Sequence, residues 1–134
     1  MPRKNMIPHT VHLFNYVGEV NDVAKYQEVV IKRCYCNISE GVGTSSSGKK
    51  TNDAVKLYIF KRDSIVLSSA GSPVRYIPID KWEELKAKTG YWTINPNDKD
   101  YFVLDGRKER FKVKSVADNE VGSRRMWHYE VSGK

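Results

Sequence analysis

The sequence predicts a mostly β fold, a small β-barrel of about six strands with one short α-helix and a long mobile inter-strand loop. Three observations predict it. Apolar and polar residues alternate through separate stretches along the chain, the pattern of strands with one buried face. Turn-forming Asn, Asp, Gly and Pro fall between those stretches. Only one segment repeats its apolar residues at helical spacing.

Residues 10–17 place Val11, Leu13 and Asn15 on one side of a strand and His12, Phe14 and Tyr16 on the other. Asn21 and Asp22 turn that strand into a second, over 26–38. Strict alternation there puts Val29, Ile31, Arg33 and Tyr35 on one face, and Val30, Lys32, Cys34 and Cys36 on the other. Residues 39–52 are Gly-, Ser- and Lys-rich, and only Val42 among them can bury apolar surface. They are expected to form a flexible loop, and a loop of that length is usually functional or disordered. Residues 55–60 set Val55, Leu57 and Ile59 against Lys56, Tyr58 and Phe60. An irregular stretch, 68–73, leads to the predicted helix over 79–89. Asp80 is its expected cap, paired with Glu83 three residues on. Ile79, Trp82 and Leu85 recur at helical spacing, and Gly90 is the expected stop. So short a helix must lean on the sheet, through Trp82, Leu85 and Trp92. A turn at 95–98 precedes a strand over 100–104. Asp105 and Gly106 then lead through a basic hairpin tip into 111–116, and a last strand covers 126–131. The ends, 1–6 and 132–134, are expected to bury little. No internal repeat is present.

At 134 residues the chain suits one domain, 1–134, and its 40% hydrophobic content suits a globular core. No apolar run approaches the roughly 18–20 residues of a membrane helix, so no membrane partner is expected. The first six residues start basic but no apolar stretch follows, unlike a signal peptide. Two cysteines do not make a disulfide scaffold, and the expected compartment is the cytosol or an assembly built there. With 23 Lys and Arg against 16 Asp and Glu the balance is +7, which suggests an anionic neighbour, nucleic acid or an acidic protein surface.

Four groups of residues could carry chemistry. Gly43, Gly48 and Lys49 fit the spacing of a phosphate-binding loop. Lys50 stands where Ser or Thr would hold magnesium, and a strand follows where a helix is needed, so a flexible linker explains them better. Cys34 and Cys36 point the same way on one strand, a poor geometry for a bond between them. With His9 and His12 distant in sequence, two buried thiols acting as small hydrophobes is the reading. His128 and Glu130 share a strand face, but no nucleophile motif accompanies them, and solvent-facing polar residues suffice. The basic residues say more. Arg107, Lys108, Arg110, Lys112 and Lys114 lie on one hairpin, with Arg124 and Arg125 before the last strand. Lys112 and Lys114 alternate with Phe111 and Val113, so they form an exposed row able to meet phosphates. Lys56, Tyr58, Phe60 and Arg62 also share a face, a pattern that binds single strands by stacking or is simply solvated packing.

The order of short motifs carries a resemblance. Ile7-Pro8-His9-Thr10-Val11 opens the first strand, and Tyr76-Ile77-Pro78 precedes the helix at Trp82. Tyr91-Trp92-Thr93-Ile94-Asn95-Pro96-Asn97-Asp98, Val103-Leu104-Asp105-Gly106, Asp118-Asn119, Gly122-Ser123 and Met126-Trp127-His128-Tyr129-Glu130-Val131 follow in turn. This string resembles the small head–tail connector proteins of phages and prophages of Gram-positive bacteria, most closely the stopper, or head-completion, type. The resemblance covers nearly the whole chain, but its motifs are short and non-catalytic.

The resemblance implies a structural virion protein of the phage neck, made in the host cytoplasm, with no enzymatic activity and no cofactor. It implies a β-barrel subunit of a homo-oligomeric ring, a dodecamer, set between portal and adaptor proteins and the tail-terminator and tail proteins. Such a ring lines or closes the DNA exit channel around packaged double-stranded DNA. A loop between barrel strands reaches into the lumen, and by position it would be 39–52, with Ser45, Ser46, Ser47, Gly48, Lys49 and Lys50 at its tip. The motifs do not fix which side chains face inward. Adaptors are largely helical, and tail terminators carry an earlier helix, whereas the one helix here follows three strands. A single-stranded nucleic-acid-binding β-barrel module is the alternative, using Lys56, Tyr58, Phe60, Arg62 and the 107–114 hairpin. An enzyme lacks a convergent set of polar groups to support it.

Overall fold

A computed structural model describes residues 7–39, 54–97 and 99–134. The described residues are mostly β, with one short α-helix among them. In order it runs β1 (His9–Val20), β2 (Val23–Ser39), β3 (Ala54–Phe60), β4 (Ile65–Ser68), β5 (Arg75–Tyr76), α1 (Ile79–Glu84), β6 (Tyr91–Trp92), β7 (Tyr101–Leu104), β8 (Phe111–Asn119) and β9 (His128–Gly133). The six long stretches of alternation are all strands. The short β4, β5 and β6 were not foreseen, because two to four residues carry too little pattern.

Six strands pair antiparallel in a closed circuit: β1 with β7, β7 with β8, β8 with β9, β9 with β3, β3 with β2, and β2 back to β1. β4 pairs with β2, and β5 lies parallel to β6 in a separate two-stranded sheet. The β1–β2 hairpin closes on Asn21 and Asp22, with φ of 53° and 64°. Both central residues of a two-residue hairpin turn need positive φ, and Asn and Asp tolerate it best after Gly.

The expected inner faces hold for most strands. Val11, Leu13 and Asn15 are buried on β1, Val55, Leu57 and Ile59 on β3, and Phe111 and Val113 on β8. Val131 closes the core from β9, and Trp92, Ile94 and Phe102 fill it.

β2 departs from expectation. Cys34 and Cys36 are buried, as expected of them, but they share the core side with Val29 and Ile31, from which strict alternation had separated them, and Tyr35 is exposed. The phase of alternation slips at Arg33, whose φ is 60°. The pairing with β1 shifts at the same place, Thr10 opposing Lys32 and His9 opposing Cys34. An extra residue in one strand is a β-bulge, and it moves every later side chain to the other face. Ser64 braces the bulge: its hydroxyl donates to the Arg33 carbonyl (2.6 Å) and accepts from the Phe60 N–H (2.9 Å).

The helix is shorter than the predicted 79–89. It ends at Glu84, and Leu85 is already extended. Asp80 lies inside it, Pro78 occupies the cap position, and no side chain makes a capping hydrogen bond. Tertiary contacts take the rest of the segment. Gln27 Nε2 on β2 donates to the carbonyls of Lys88 (3.0 Å) and Tyr91 (2.6 Å). A marginal helix yields to such bonds. Trp82 is buried as expected, with the Lys88 ammonium over its ring.

The chain end also differs from expectation. Ser132 and Gly133 belong to β9, and Gly133 is buried between Val55 and Val113. A Cβ at Gly133 would stand 2.6 Å from the Phe102 ring and 3.1 Å from Phe111 Cβ. Phe102 is fully buried, so its ring has little room to retreat. Gly133→Ala is therefore expected to cost about 1–3 kcal/mol, read as a lower urea midpoint with an unchanged m-value.

Candidate functional site

The strongest convergence of chemically active side chains lies on the outer faces of β1, β2, β7 and β8. Strand register builds it. Tyr16 opposes Tyr26, Phe14 opposes Tyr101, and Tyr101 opposes Lys112. Tyr26, Lys99, Tyr101, Arg110, Lys112 and Lys134 surround a recess of about 280 Å³. Four of these six have cationic side chains, and none is Asp or Glu.

The rings hold one another and two of the cations. Phe14 stacks on Tyr101 at 4.7 Å with 16° between planes, and Tyr26 meets Tyr101 edge-on at 5.2 Å. The Arg110 guanidinium sits 4.7 Å from the Tyr101 centroid, and the Lys99 ammonium 4.3 Å from that of Tyr16. Phe14, Tyr26 and Arg110 thus all engage the Tyr101 ring. Such cation–π contacts restrict where the charges stand.

The structure divides the basic residues grouped by sequence. Arg110 and Lys112 line the recess, and Arg107 and Lys108 are exposed in the connection beside it. Lys114 is exposed further along β8, at a shift in its pairing with β9. Arg124 and Arg125 lie beyond the other end of β8, in a 3₁₀ turn, with Arg124 over the Trp127 ring at 5.9 Å. They are not part of the same group. Lys99, Lys134, Tyr26 and Tyr101 were missed. The hairpin register joining 101 to 112 was the available signal for Tyr101, whereas Lys134 reaches the recess only through the pairing of its backbone with Lys112. Ser45, Ser46, Ser47, Gly48, Lys49 and Lys50, with the near-match to a phosphate loop, lie outside the described residues.

The face bearing Lys56, Tyr58, Phe60 and Arg62 is separate. Its rings form a ladder across β2, β3 and β9. Tyr35 meets Tyr58 at 5.9 Å, and His128 meets Tyr58 and Phe60 at 5.6 Å each. Lys56 pairs with Glu130 at 3.1 Å. His128 and Glu130 are thus engaged in packing and an ion pair.

His9, distant in sequence from the two cysteines, is beside both in space. Its Nδ1 accepts from the Cys36 N–H (3.0 Å), and the Cys34 thiol donates to its carbonyl (3.4 Å). Both cysteines are free and buried. Burial lifts the Cys34 thiol to about 12 and the Cys36 thiol to about 11, which leaves negligible thiolate at neutral pH. Among the described residues no three His, Cys, Asp or Glu side chains gather as metal ligands.

Two further polar groups shape this side of the molecule. Asp100 is buried, accepting from the Tyr16 N–H (2.8 Å) and the Asn15 amide (2.9 Å), which also donates to the Thr93 carbonyl (2.8 Å). Burial pushes its carboxyl up to about 6, against those hydrogen bonds. His12 bridges Glu28 (2.7 Å) and Asp105 (2.9 Å). Partial burial opposes its charge, but the hydrogen bonds and charges of Asp105 and Glu28 outweigh it and raise the imidazole above its ordinary value.

The profile of a family of unknown function (DUF6751) matches residues 6–134. No curated protein and no solved structure matches the chain.

His12 yields a pH signature. A folded-state value above the unfolded one gives stability that is full below about pH 6.5 and is lost as pH rises through the folded value. The unfolding free-energy difference between the parent chain and His12→Gln should be larger near about pH 5.5 than near about pH 9. Urea titrations at both values check it, and a pH-independent difference would show that the bridge is not charged.

Proposed function

The chain belongs to the DUF6751 family, whose description assigns no activity; we propose, on the resemblance in motif order, that it is a structural subunit of a phage neck. In this reading the six strands paired in a circuit are the wall of a small barrel. Copies of the barrel form a ring between the portal and adaptor on one side and the tail on the other. The ring surrounds the packaged DNA and helps to close its exit.

One observation carries the reading. β2 and β3, the strands on either side of residues 40–53 in the sequence, are antiparallel neighbours in the circuit and pair up to Ser39 and Ala54. The fourteen residues between them, with Ser45 to Lys50 near their middle, are by sequence position the segment that the resemblance assigns to the lumen. Support also comes from the resemblance in motif order and from the cationic outer surface. The role needs no reactive group, since shape and repetition around an axis perform it.

The single-stranded nucleic-acid module draws less support. Tyr58 and Phe60 pack against His128, and Lys56 is paired with Glu130, so that face offers its rings to its own neighbours.

Electron microscopy of the chain mixed with the portal and adaptor encoded beside it tests the proposal. A closed ring stacked on the portal complex is expected, and a chain that stays separate under all assembly conditions would exclude it. Deleting residues 43–50 should leave the unfolding free energy of the isolated chain, measured by urea titration, within about 1 kcal/mol of the parent, because shortening a loop changes closure entropy little. Rings of that deletion variant should form but release DNA from filled heads.

A further inference from the structure

We propose that the recess walled by Tyr26, Lys99, Tyr101, Arg110, Lys112 and Lys134 is a docking site for the sugar–phosphate backbone of double-stranded DNA. The inference deepens the neck reading by naming the face that meets DNA. The binding it asserts belongs to a single chain and is measured without a ring.

The charge arrangement comes first. Four cationic side chains converge from the flanks of β7 and β8 and from the residue after β9, and no Asp or Glu side chain lines the recess. Like charges brought together raise the energy of the empty site, and an anion relieves it. Arg107 and Lys108 are exposed in the connection between β7 and β8, where Asp105 and Glu109 are exposed as well. An extended cationic surface suits a polyanion better than a single small anion.

The rings decide which part of a nucleic acid is met. A single-strand binder presents open aromatic faces on which bases stack. Here Tyr101 is engaged by its own neighbours, with Phe14 stacked on it, Arg110 over its ring and Tyr26 packed edge-on. Lys99 lies over Tyr16. The aromatic groups serve to hold cations, and what remains for a ligand is charge with tyrosine hydroxyls. Contacts of that kind position a backbone and read no sequence. An acidic protein would look for an apolar anchor pocket at the centre of its interface, and the recess holds packed tyrosines ringed by cations instead.

The test is fluorescence anisotropy of a labelled duplex of about 20 base pairs across a salt series, with a single strand of the same sequence alongside. The parent chain should bind duplexes of different sequence equally, and bind the single strand no more tightly. Each phosphate contact contributes roughly 0.9 to the slope of log K against log salt. The variant Lys99→Gln, Arg110→Gln, Lys112→Gln should therefore lower that slope by about 2–3. A variant of equal net charge, Lys32→Gln, Lys81→Gln, Lys86→Gln, should lower it by less than about 1. Lys112→Gln alone, at an exposed position, should lower it by about 1 and guards against a triple variant that does not fold.

Equal losses in the two triple variants, tighter binding of the single strand, displacement of the duplex by polyglutamate at matched charge, or no binding by the parent at low salt would each overturn the site. A chain that builds rings on the portal with the slope unmoved loses this site and keeps the neck role. A chain with the expected slopes that never joins a ring keeps this site and loses the neck role.

Discussion

A strand has two edges, so β2 can reach three partners only if something changes along its length. Its pairing with β4 ends at Lys32 and its pairing with β3 begins at Tyr35. Between them stands Arg33, in a left-handed conformation that costs an L-residue roughly 1–2 kcal/mol. The bulge turns the strand and carries the buried set from Val29 and Ile31 to Cys34 and Cys36. The Ser64 hydroxyl, bonded to the Arg33 carbonyl, ties the bend to the β3–β4 connection. The irregularity thus falls where β2 passes from its pairing with β4 to the pairing with β3 that belongs to the circuit β1-β7-β8-β9-β3-β2.

Closure has consequences at both surfaces. Inside, space is tight enough that Gly133 leaves room for the Phe102 ring. The polar Asn15 is admitted only because Thr93 and Asp100 meet all its bonding needs from the irregular segment before β7. That segment is thereby fixed against β1, which sets Lys99 over Tyr16. Outside, the alternate residues of β1, β2 and β7 are forced into register, so Phe14, Tyr16, Tyr26 and Tyr101 meet as one aromatic cluster. The recess is a by-product of how the core is sealed.

Much of this was legible in residue order. Alternation separated the two faces of β1 and β3 and named the exposed one on β8, and Asn21-Asp22 marked the first turn. The errors share one cause. Arg33, Leu85 and Gly133 each lie where a contact from a distant segment overrides the local pattern. Ser64 braces the bulge, Gln27 draws out the chain beyond α1, and Val55 and Val113 claim Gly133 as a paired strand residue. The site was half legible for the same reason. Arg110 and Lys112 stood out as basic residues on a hairpin, while Lys99, Lys134 and the tyrosines joined them only once the strands were in register.

By itself the sequence determined a property that is local and additive: which stretches are strands, which residues of each turn inward, and how strongly the chain is charged. Period-two patterning and turn chemistry act over a few residues and need no partner to be read. The tertiary structure alone decided where that pattern breaks and which charges become neighbours. His9 beside Cys34 and Cys36, or Lys99 beside Lys112, are matters of register between strands. Register follows from burying all the inner faces at once, an energy that belongs to the whole circuit and to no segment of it.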